Sequence, residues 1–262
     1  MSATLAPPTL KTGRFVWRDL QTSDPERAKA FYTELFGWTV KPMGMGDFTY
    51  DMLANGGKEF GGIVPLDPAS GAPSHWVSYV HVPSVDESVD AAGRLGGTVY
   101  LSPTDIPGVG RFAIVADPQG AVVSPFTSAD ESDDWPTEMS MPPVGDVTWN
   151  ELITADVEGA KRFYGDVIGW QFEASDMPGP VQYHILKQGD RWYGGLMQKP
   201  DEVPVSLWVI YYHVADLDQT LTEIARLGGQ PAGEVIEVPN IGRVSWATDP
   251  TGALFALHEA PK

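Results

Sequence analysis

The sequence predicts an α+β protein made of four β-α-β-β-β units, arranged as two tandem domains with mixed sheets. The main observation is a repeat: Trp17-Arg18-Asp19-Leu20 returns 132 residues later as Trp149-Asn150-Glu151-Leu152. Within each half, a strand, a helix and three short strands are predicted twice. Residues 129–144 are acidic and rich in proline, as is typical of a linker.

The first unit shows how each element is predicted. Residues 15–21 alternate and contain Phe, Val and Trp, which favours a strand. Ser23-Asp24-Pro25 provides a helix cap followed by proline in the first turn, and Gly37 provides the stop. Apolar residues recur between them at helical spacing: Ala28, Phe31, Tyr32 and Leu35. Three short strands are then expected at 38–43, 48–54 and 59–65.

The second unit follows the same order. A strand is expected at 75–82, and a helix at Val85–Leu95 that ends at Gly96-Gly97. The three remaining strands are expected at 98–102, 111–116 and 121–127. Asp117-Pro118-Gln119-Gly120 is typical of a tight turn between the last two. The second half repeats this scheme, so we predict a tail at 1–12, domains at 13–128 and 145–260, and the linker at 129–144.

Composition excludes several classes of protein. The chain has 262 residues, 42% hydrophobic and 20% charged, as expected of a globular protein. It has no cysteine, which excludes disulfides, thiolate metal sites and a cysteine nucleophile. A net charge of −18 argues against nucleic-acid and anionic membrane partners. No apolar run approaches a membrane span and no signal peptide is evident, so a cytoplasmic location is expected.

Several motifs together resemble the vicinal oxygen chelate superfamily, which includes glyoxalase I, bleomycin resistance proteins and extradiol dioxygenases. They are the opening strand that leads into Asp-Pro, the Ala-x-x-Phe-Tyr helix, the Leu-Gly-Gly helix ends and the Asp-Pro-x-Gly turns. The duplicated Trp-x-Asp/Glu-Leu strand looks like the two-domain glyoxalase-like proteins of actinobacteria. The resemblance implies that two units pair into a curved sheet whose concave face, the cup, holds the ligand. It also implies either a monomer with an internal pseudo-dimer or a homodimer.

The resemblance also implies where metal-dependent members hold their ion. The corresponding positions here are Trp17 and Trp149, Val77 and Val209, and Ser124 and Ala256. Tryptophan and valine cannot coordinate Zn²⁺, Ni²⁺ or Fe²⁺, which need imidazole or carboxylate groups. We therefore predict no metal and no cofactor, unless the register of the alignment is wrong by one residue.

Strand alternation predicts what lines the cups instead. Trp17, Asp19 and Gln21 share a face, as do Trp149, Glu151 and Ile153. On the next opening strands the residues that share a face are Val77, Tyr79 and His81, and Val209, Tyr211 and His213. Asp19 and Glu151 are either rim carboxylates or general acids or bases that act with Tyr79 and Tyr211.

Other candidate ligand-binding residues come from counterparts in the two halves. Tyr50 and Tyr183, 133 residues apart, line the cups or pack between strands. His184 and His258 are matched with Met52 and Phe126, so only one half can use them. Arg111 and Arg243 either pair with the acids Asp19 and Glu151 or clamp an anionic substrate. His81 and His213 either hydrogen-bond the backbone or act as bases.

These residues predict a metal-independent protein that binds a small, partly aromatic organic molecule, for sequestration or resistance. One alternative is a lyase, isomerase or hydroxylase-like enzyme that uses Asp19 or Glu151 with Tyr79 or Tyr211. Another is a divalent-metal glyoxalase or dioxygenase, if the alignment register is wrong. A purely structural or partner-binding role also stays open.

Overall fold

The computed structural model describes residues 12–45, 48–130, 141–176 and 181–261, and they form the four predicted modules. The predicted tail and linker lie largely outside the described residues. Module A contains β1 (Phe15–Thr22), α1 (Pro25–Phe36), β2 (Thr39–Met45), β3 (Phe48–Asn55) and β4 (Lys58–Pro65). Module B contains β5 (His75–His81), α2 (Val85–Arg94), β6 (Thr98–Ile106), β7 (Gly110–Ala116) and β8 (Val122–Ser128).

Modules C and D repeat this order in the second half. Module C contains β9 (Val147–Thr154), α3 (Val157–Val167), β10 (Gln171–Ala174), β11 (His184–Gln188) and β12 (Arg191–Gln198). Module D contains β13 (Leu207–Val214), α4 (Leu217–Arg226), β14 (Gln230–Val238), β15 (Gly242–Thr248) and β16 (Leu254–Glu259).

The strands form two eight-stranded sheets, one from each half of the chain. The orders are β2-β3-β4-β1-β5-β8-β7-β6 and β10-β11-β12-β9-β13-β16-β15-β14. Both sheets are mixed: β1 and β4 are parallel while β2 and β3 are antiparallel, and β9 and β12 are parallel while β10 and β11 are antiparallel. The predicted α+β class with mixed sheets is confirmed.

Each of the four α-helices in the described residues begins after a capping residue, and the first cap lies in the predicted Ser23-Asp24-Pro25 segment. In each, the side chain of the capping residue accepts a hydrogen bond from the backbone N–H three residues later, which satisfies one of the free donors of the first turn. The capping residues are Asp24, Ser84, Asp156 and Asp216. No helix in the described part of the chain is long and apolar enough to cross a membrane.

Strand β6 is longer than predicted, because it continues through Pro103 to Ile106. Proline cannot donate to a ladder of hydrogen bonds, and so it normally interrupts a central strand. Here β6 is at the edge of its sheet, and its pairing with β7 shifts between Leu101 and Thr104. The edge position and this irregularity together accommodate the proline.

The chain folds into two compact units, and each unit combines one module from the first half with one module from the second half. Unit 1 comprises Met1–Trp17, Ser78–Glu138 and Asn150–Trp208, and thus most of modules B and C. Unit 2 comprises Arg18–Val77, Met139–Trp149 and Val209–Lys262, and thus most of modules A and D. The domain bounds predicted from the repeat, 13–128 and 145–260, stay a prediction.

In unit 1, helix α2 packs against helix α3 over a single apolar core. The Tyr164 hydroxyl, fully buried, donates to Asp117 Oδ2 at 3.2 Å. Trp208 Nε1 donates to the Tyr164 oxygen at 3.0 Å. Burial raises the pKa of the Tyr164 hydroxyl well above its ordinary value, so it remains a neutral donor.

Unit 2 contains the same arrangement between modules A and D, with α1 against α4. The Tyr32 hydroxyl donates to Asp249 Oδ2 at 3.2 Å, and Trp76 Nε1 donates to the Tyr32 oxygen at 3.1 Å. The Ala-x-x-Phe-Tyr helix and the Asp-Pro-x-Gly turn are therefore structural partners. Each tyrosine ties one module to an aspartate turn from the other half of the sequence.

Candidate ligand-binding site

Each module has an open face, which we define as the face of its strands opposite its helix. In module A, Leu20 and Leu53 are fully buried in the core beneath the helix. Asp51 forms a 2.9 Å ion pair with Lys29 of α1, so it also lies on the helix side. Because side chains alternate along a strand, Asp19 and Tyr50 lie on the open face.

Asp19 and Tyr50 form a hydrogen-bonded pair in module A. The tyrosine hydroxyl donates to Asp19 Oδ1 at 2.7 Å, and Asp19 is only 6% exposed. Gly62 lies opposite Asp19 in the adjacent strand β4. A Cβ atom on Gly62 would lie 2.2 Å from Tyr50 Cζ, so the tyrosine ring occupies the space that the glycine leaves.

Module C repeats this acid–tyrosine pair with glutamate in place of aspartate. The Tyr183 hydroxyl donates to Glu151 Oε1 at 2.8 Å, and Glu151 is also 6% exposed. Gly195 lies opposite Glu151, and a Cβ atom there would lie 1.7 Å from the Tyr183 hydroxyl. The same three-residue arrangement therefore occurs once in each half of the chain.

All four of these side chains are predicted site residues, whereas the predicted joint action of the acids with Tyr79 and Tyr211 stays a prediction. The observed hydrogen-bond partners are Tyr50 and Tyr183. The two glycines were not predicted. A signal for them is present in the sequence, since Gly61-Gly62 returns as Gly194-Gly195 at the same offset of 133 as the tyrosines.

The open face of module B is aromatic. The ring centroids of Tyr79 and Phe112 are 5.8 Å apart, and those of Tyr79 and Phe126 are 6.4 Å apart. Phe112 and Phe126 are half-buried, as expected of side chains that no helix covers. Ser124 is fully buried in the same sheet, and its hydroxyl donates to Ala113 O at 2.7 Å.

The open face of module D is aromatic and more polar. Trp246 Nε1 donates to the Tyr211 hydroxyl at 3.2 Å. His258 Nε2 lies 2.8 Å from Ile241 O, and His213 Nδ1 lies 2.6 Å from Pro142 O. Strand register places Tyr211 beside Ala256 and His213 beside His258.

The arginines do not pair with Asp19 and Glu151, the acids predicted from the sequence. Arg111 binds Asp86 and Asp105, at 2.8 and 2.9 Å. Arg243 binds Asp218 at 2.9 Å and Glu259 at 3.2 Å. These carboxylates hold the pKa of both guanidinium groups above its ordinary value. The predicted pairing is therefore corrected, because each arginine is bound by acids of its own module.

The matching of His184 with Met52 is also corrected. In the strand registers, Gly62 lies opposite Met52 and Gly195 lies opposite Ile185. One additional residue in the second half shifts the offset to 133, so the counterpart of His184 is Asp51. His184 interacts electrostatically with Lys161 and Glu158 of α3, so it lies on the helix side and not with Tyr183.

The setting of His184 predicts a dependence of stability on pH. Burial, and then the nearby Lys161 charge, lower the pKa of His184 below its ordinary value of 6.5. As the pH falls below 6.5, the unfolded chain therefore binds this proton more readily than the folded protein, and the free energy of unfolding decreases. In His184→Asp we expect the free energy of unfolding to decrease less over this pH range. The new aspartate would face Lys161 as Asp51 faces Lys29 in module A.

Urea denaturation of both proteins between pH 7 and pH 5 measures this difference. Titrating groups that do not interact with residue 184 are the same in the two proteins, so they cancel in the comparison. If the free energy of unfolding changed equally with pH in wild type and variant, the pKa of His184 would be the same in the folded and the unfolded chain.

The positions that the resemblance assigns to metal ligands hold side chains poorly suited to a divalent ion. Trp17 and Trp149 are half-buried, Val77 and Val209 are fully buried, and Ala256 is apolar. Ser124, the remaining polar side chain, already donates to a backbone carbonyl. Within the described residues, no group of three or more His, Cys, Asp or Glu side chains is placed to hold a metal ion.

The fold and the duplicated open faces define a glyoxalase-like protein of the vicinal oxygen chelate superfamily. The family model for the bleomycin resistance protein-like N-terminal region matches residues 14–50 and, again, 146–182. CFP32 of Mycobacterium tuberculosis, which is named as a putative glyoxylase, is 34% identical over 251 residues, covering 94% of this chain and 95% of that protein. The chain therefore belongs to this family, as the sequence motifs predicted.

A second relative and two solved structures extend the comparison. The anthracycline biosynthesis protein DnrV of Streptomyces peucetius is 30% identical, covering 94% of this chain and 93% of that protein. The Mn(II)-bound glyoxalase from Novosphingobium aromaticivorans has a TM-score of 0.62 at 15% identity, covering 95% and 82% of the two chains. The 2,2',3-trihydroxybiphenyl 1,2-dioxygenase of Sphingomonas wittichii has a TM-score of 0.60 at 14% identity, covering 95% and 91%. These two structures show the shared fold.

Proposed function

We propose that this protein binds a small, partly aromatic organic molecule on its open faces, without a metal ion. The observation that carries the proposal is the acid–tyrosine pair, found once in each half. A buried carboxylate held by a tyrosine hydroxyl is a fixed hydrogen-bond acceptor in apolar surroundings. A carboxylate has about four acceptor positions, so it can accept from a ligand as well as from the tyrosine.

The aromatic side chains of modules B and D support a ligand with a ring. Tyrosine, phenylalanine and tryptophan stack on planar groups and provide a large apolar contact area. The net charge of −18 favours a neutral or cationic molecule over an anion. A relative named for anthracycline biosynthesis is in keeping with an aromatic ligand.

The first experiment is a titration of the protein with 2-naphthol and with 1-naphthylmethylammonium, followed by tryptophan fluorescence. We expect saturable quenching, because Trp17, Trp149 and Trp246 lie half-buried on strands with the proposed site residues. Tyr50→Phe and Tyr183→Phe should each weaken binding about tenfold at one class of site, which corresponds to about 1.4 kcal/mol. Tyr100→Phe, at a residue 65% exposed, is the matched control and should bind as wild type does.

Three results would contradict the proposal. The first is the absence of saturable binding in the wild type, and the second is unchanged affinity in both tyrosine variants. The third concerns the metal: elemental analysis that finds stoichiometric nickel, zinc or iron, together with loss of binding in a chelator, would refute metal independence.

A second candidate function is general acid–base catalysis by the same pairs. It is favoured by the tyrosine–carboxylate hydrogen bond, since both groups can transfer protons. The test is deuterium uptake from D₂O into the methyl group of 2-acetonaphthone, whose protons a positioned carboxylate can remove. If the pairs are catalytic, 2-acetonaphthone takes up deuterium faster with the wild type than in buffer alone. The double variant Asp19→Asn, Glu151→Gln should abolish this additional uptake. Uptake at the buffer rate in wild type would reject this catalytic function and leave the binding function as the proposal.

A further inference from the structure

The two halves differ at the turn that joins β6 to β7 in module B and β14 to β15 in module D. In module B, the backbone N–H of Ala129 donates to Val109 O at 2.9 Å. The counterparts in module D, 132 residues later, are Pro261 and Ile241. Proline has no N–H, so it cannot make this hydrogen bond.

His258 supplies the missing donor in module D. Its Nε2 atom lies 2.8 Å from Ile241 O, and the residue is 8% exposed. A carbonyl oxygen only accepts, so Nε2 carries the proton. In the neutral imidazole, Nδ1 is then a hydrogen-bond acceptor. The turn thus determines the tautomer of this histidine.

Module B has no equivalent acceptor at this position, because the counterpart of His258 is Phe126. The Phe126 ring lies over Gly110, where a Cβ atom would be 2.8 Å from Phe126 Cζ. The two open faces therefore differ in chemistry at one position: a phenyl ring in module B and an oriented imidazole in module D.

His258 lies at the edge of the aromatic surface of module D. Phe255 and Leu257 are fully buried in the core on the helix side, so His258 lies on the open face. It is paired with Val244 of β15, and Trp246 is the diagonal neighbour on the same face. Diagonal side chains in a sheet are within reach of each other when one is aromatic.

We infer that the open face of module D binds an aromatic hydroxyl compound, such as a phenol or naphthol, whose O–H donates to Nδ1 of His258. The ring of the compound stacks on Trp246 and Tyr211, and the hydroxyl sits beside the imidazole. This inference rests on the proposed function and adds the class of ligand and the half that selects it. Module B, with Phe126, does not distinguish a hydroxyl from its methyl ether at this position.

The experiment compares 2-naphthol with 2-methoxynaphthalene, which has the same ring but no donor. In wild type we expect 2-naphthol to bind one class of site about tenfold more tightly than the ether, as one additional hydrogen bond allows. In His258→Phe and in His258→Gln this preference should disappear. Gln keeps a side-chain N–H for Ile241 O but has no acceptor at the position of Nδ1, so it separates ligand binding from support of the turn.

Nitrogen-15 NMR of the histidine rings gives a readout that does not depend on affinity. The free protein should show His258 protonated at Nε2, and 2-naphthol should shift its Nδ1 resonance while the ether does not. In the reverse exchange, Phe126→His, Val109 O already accepts from the Ala129 N–H, so the turn does not set the tautomer of the new histidine and we expect no preference for the hydroxyl.

The outcomes distinguish the failure of this inference from the failure of the proposed function. Binding of both probes with equal affinity in wild type and in His258→Gln would overturn the role of His258 and leave the proposed function standing. The same holds if Nδ1 is the protonated nitrogen. No binding of either probe to any variant would overturn both.

Discussion

Replacement of Asp249 by alanine is expected to lower the free energy of unfolding by about 3–5 kcal/mol. Asp249 is 2% exposed and accepts hydrogen bonds from the Tyr32 hydroxyl, from Thr251 N and Oγ1, and from Ala253 N. Alanine would leave these donors without an acceptor, and each of the buried ones, from Tyr32 and Ala253, costs about 1–3 kcal/mol. Urea denaturation followed by circular dichroism measures the loss.

Two variants control this prediction. Asp86→Ala removes an exposed aspartate that pairs with Arg111, and should cost less than about 1 kcal/mol. Tyr32→Phe removes only one of the donors, and we expect a smaller loss, of about 1 kcal/mol. If Asp249→Ala proved as stable as Asp86→Ala, the Asp-Pro-x-Gly turn would have no structural role and its aspartate would become a candidate for function.

Replacement of Gly195 by alanine is expected to break the acid–tyrosine pair of module C. The new Cβ atom would lie 1.7 Å from the Tyr183 hydroxyl, so the ring must move away from Glu151. We expect about a tenfold or greater loss of affinity at the site in the second half, and a decrease in stability of about 1–3 kcal/mol from overpacking. Fluorescence titration with 2-naphthol and urea denaturation measure the two effects.

Gly62→Ala should have the same effect in the first half, because its Cβ atom would lie 2.2 Å from the Tyr50 ring. Gly44→Ala is the control, since a Cβ atom there meets nothing within 4 Å. Unchanged affinity in both Gly62→Ala and Gly195→Ala, with a stable fold, would separate ligand binding from the two pairs.

The modules were predictable from the sequence because local signals agree with one another. Capping residues such as Asp24 and Asp156, and the glycines that follow the helices, mark the elements regardless of tertiary packing. The repeat then confirms each signal a second time. The face on which the candidate site residues lie was also predictable, since alternation alone places Asp19 on the same face of its strand as Trp17, and Glu151 on the same face as Trp149.

Their pairing was not predictable, because it depends on the register of neighbouring strands. One additional residue in the second half moves His184 to the helix side and places Tyr183 on the open face. The partners of Arg111 and Arg243 likewise depend on how each helix meets its strands. Which modules share a core is also absent from local patterns, so the structural role of Tyr32 and Asp249 was missed.

The hydrogen bond between Tyr32 and Asp249 joins residues that are 217 positions apart. During synthesis, the first module emerges from the ribosome long before the turn that completes its core has been translated. Domains usually fold as units in order of synthesis, yet here the earliest segment must wait for the last. The nascent chain therefore exposes the apolar surface of its first module until the turn at Asp249 has been translated.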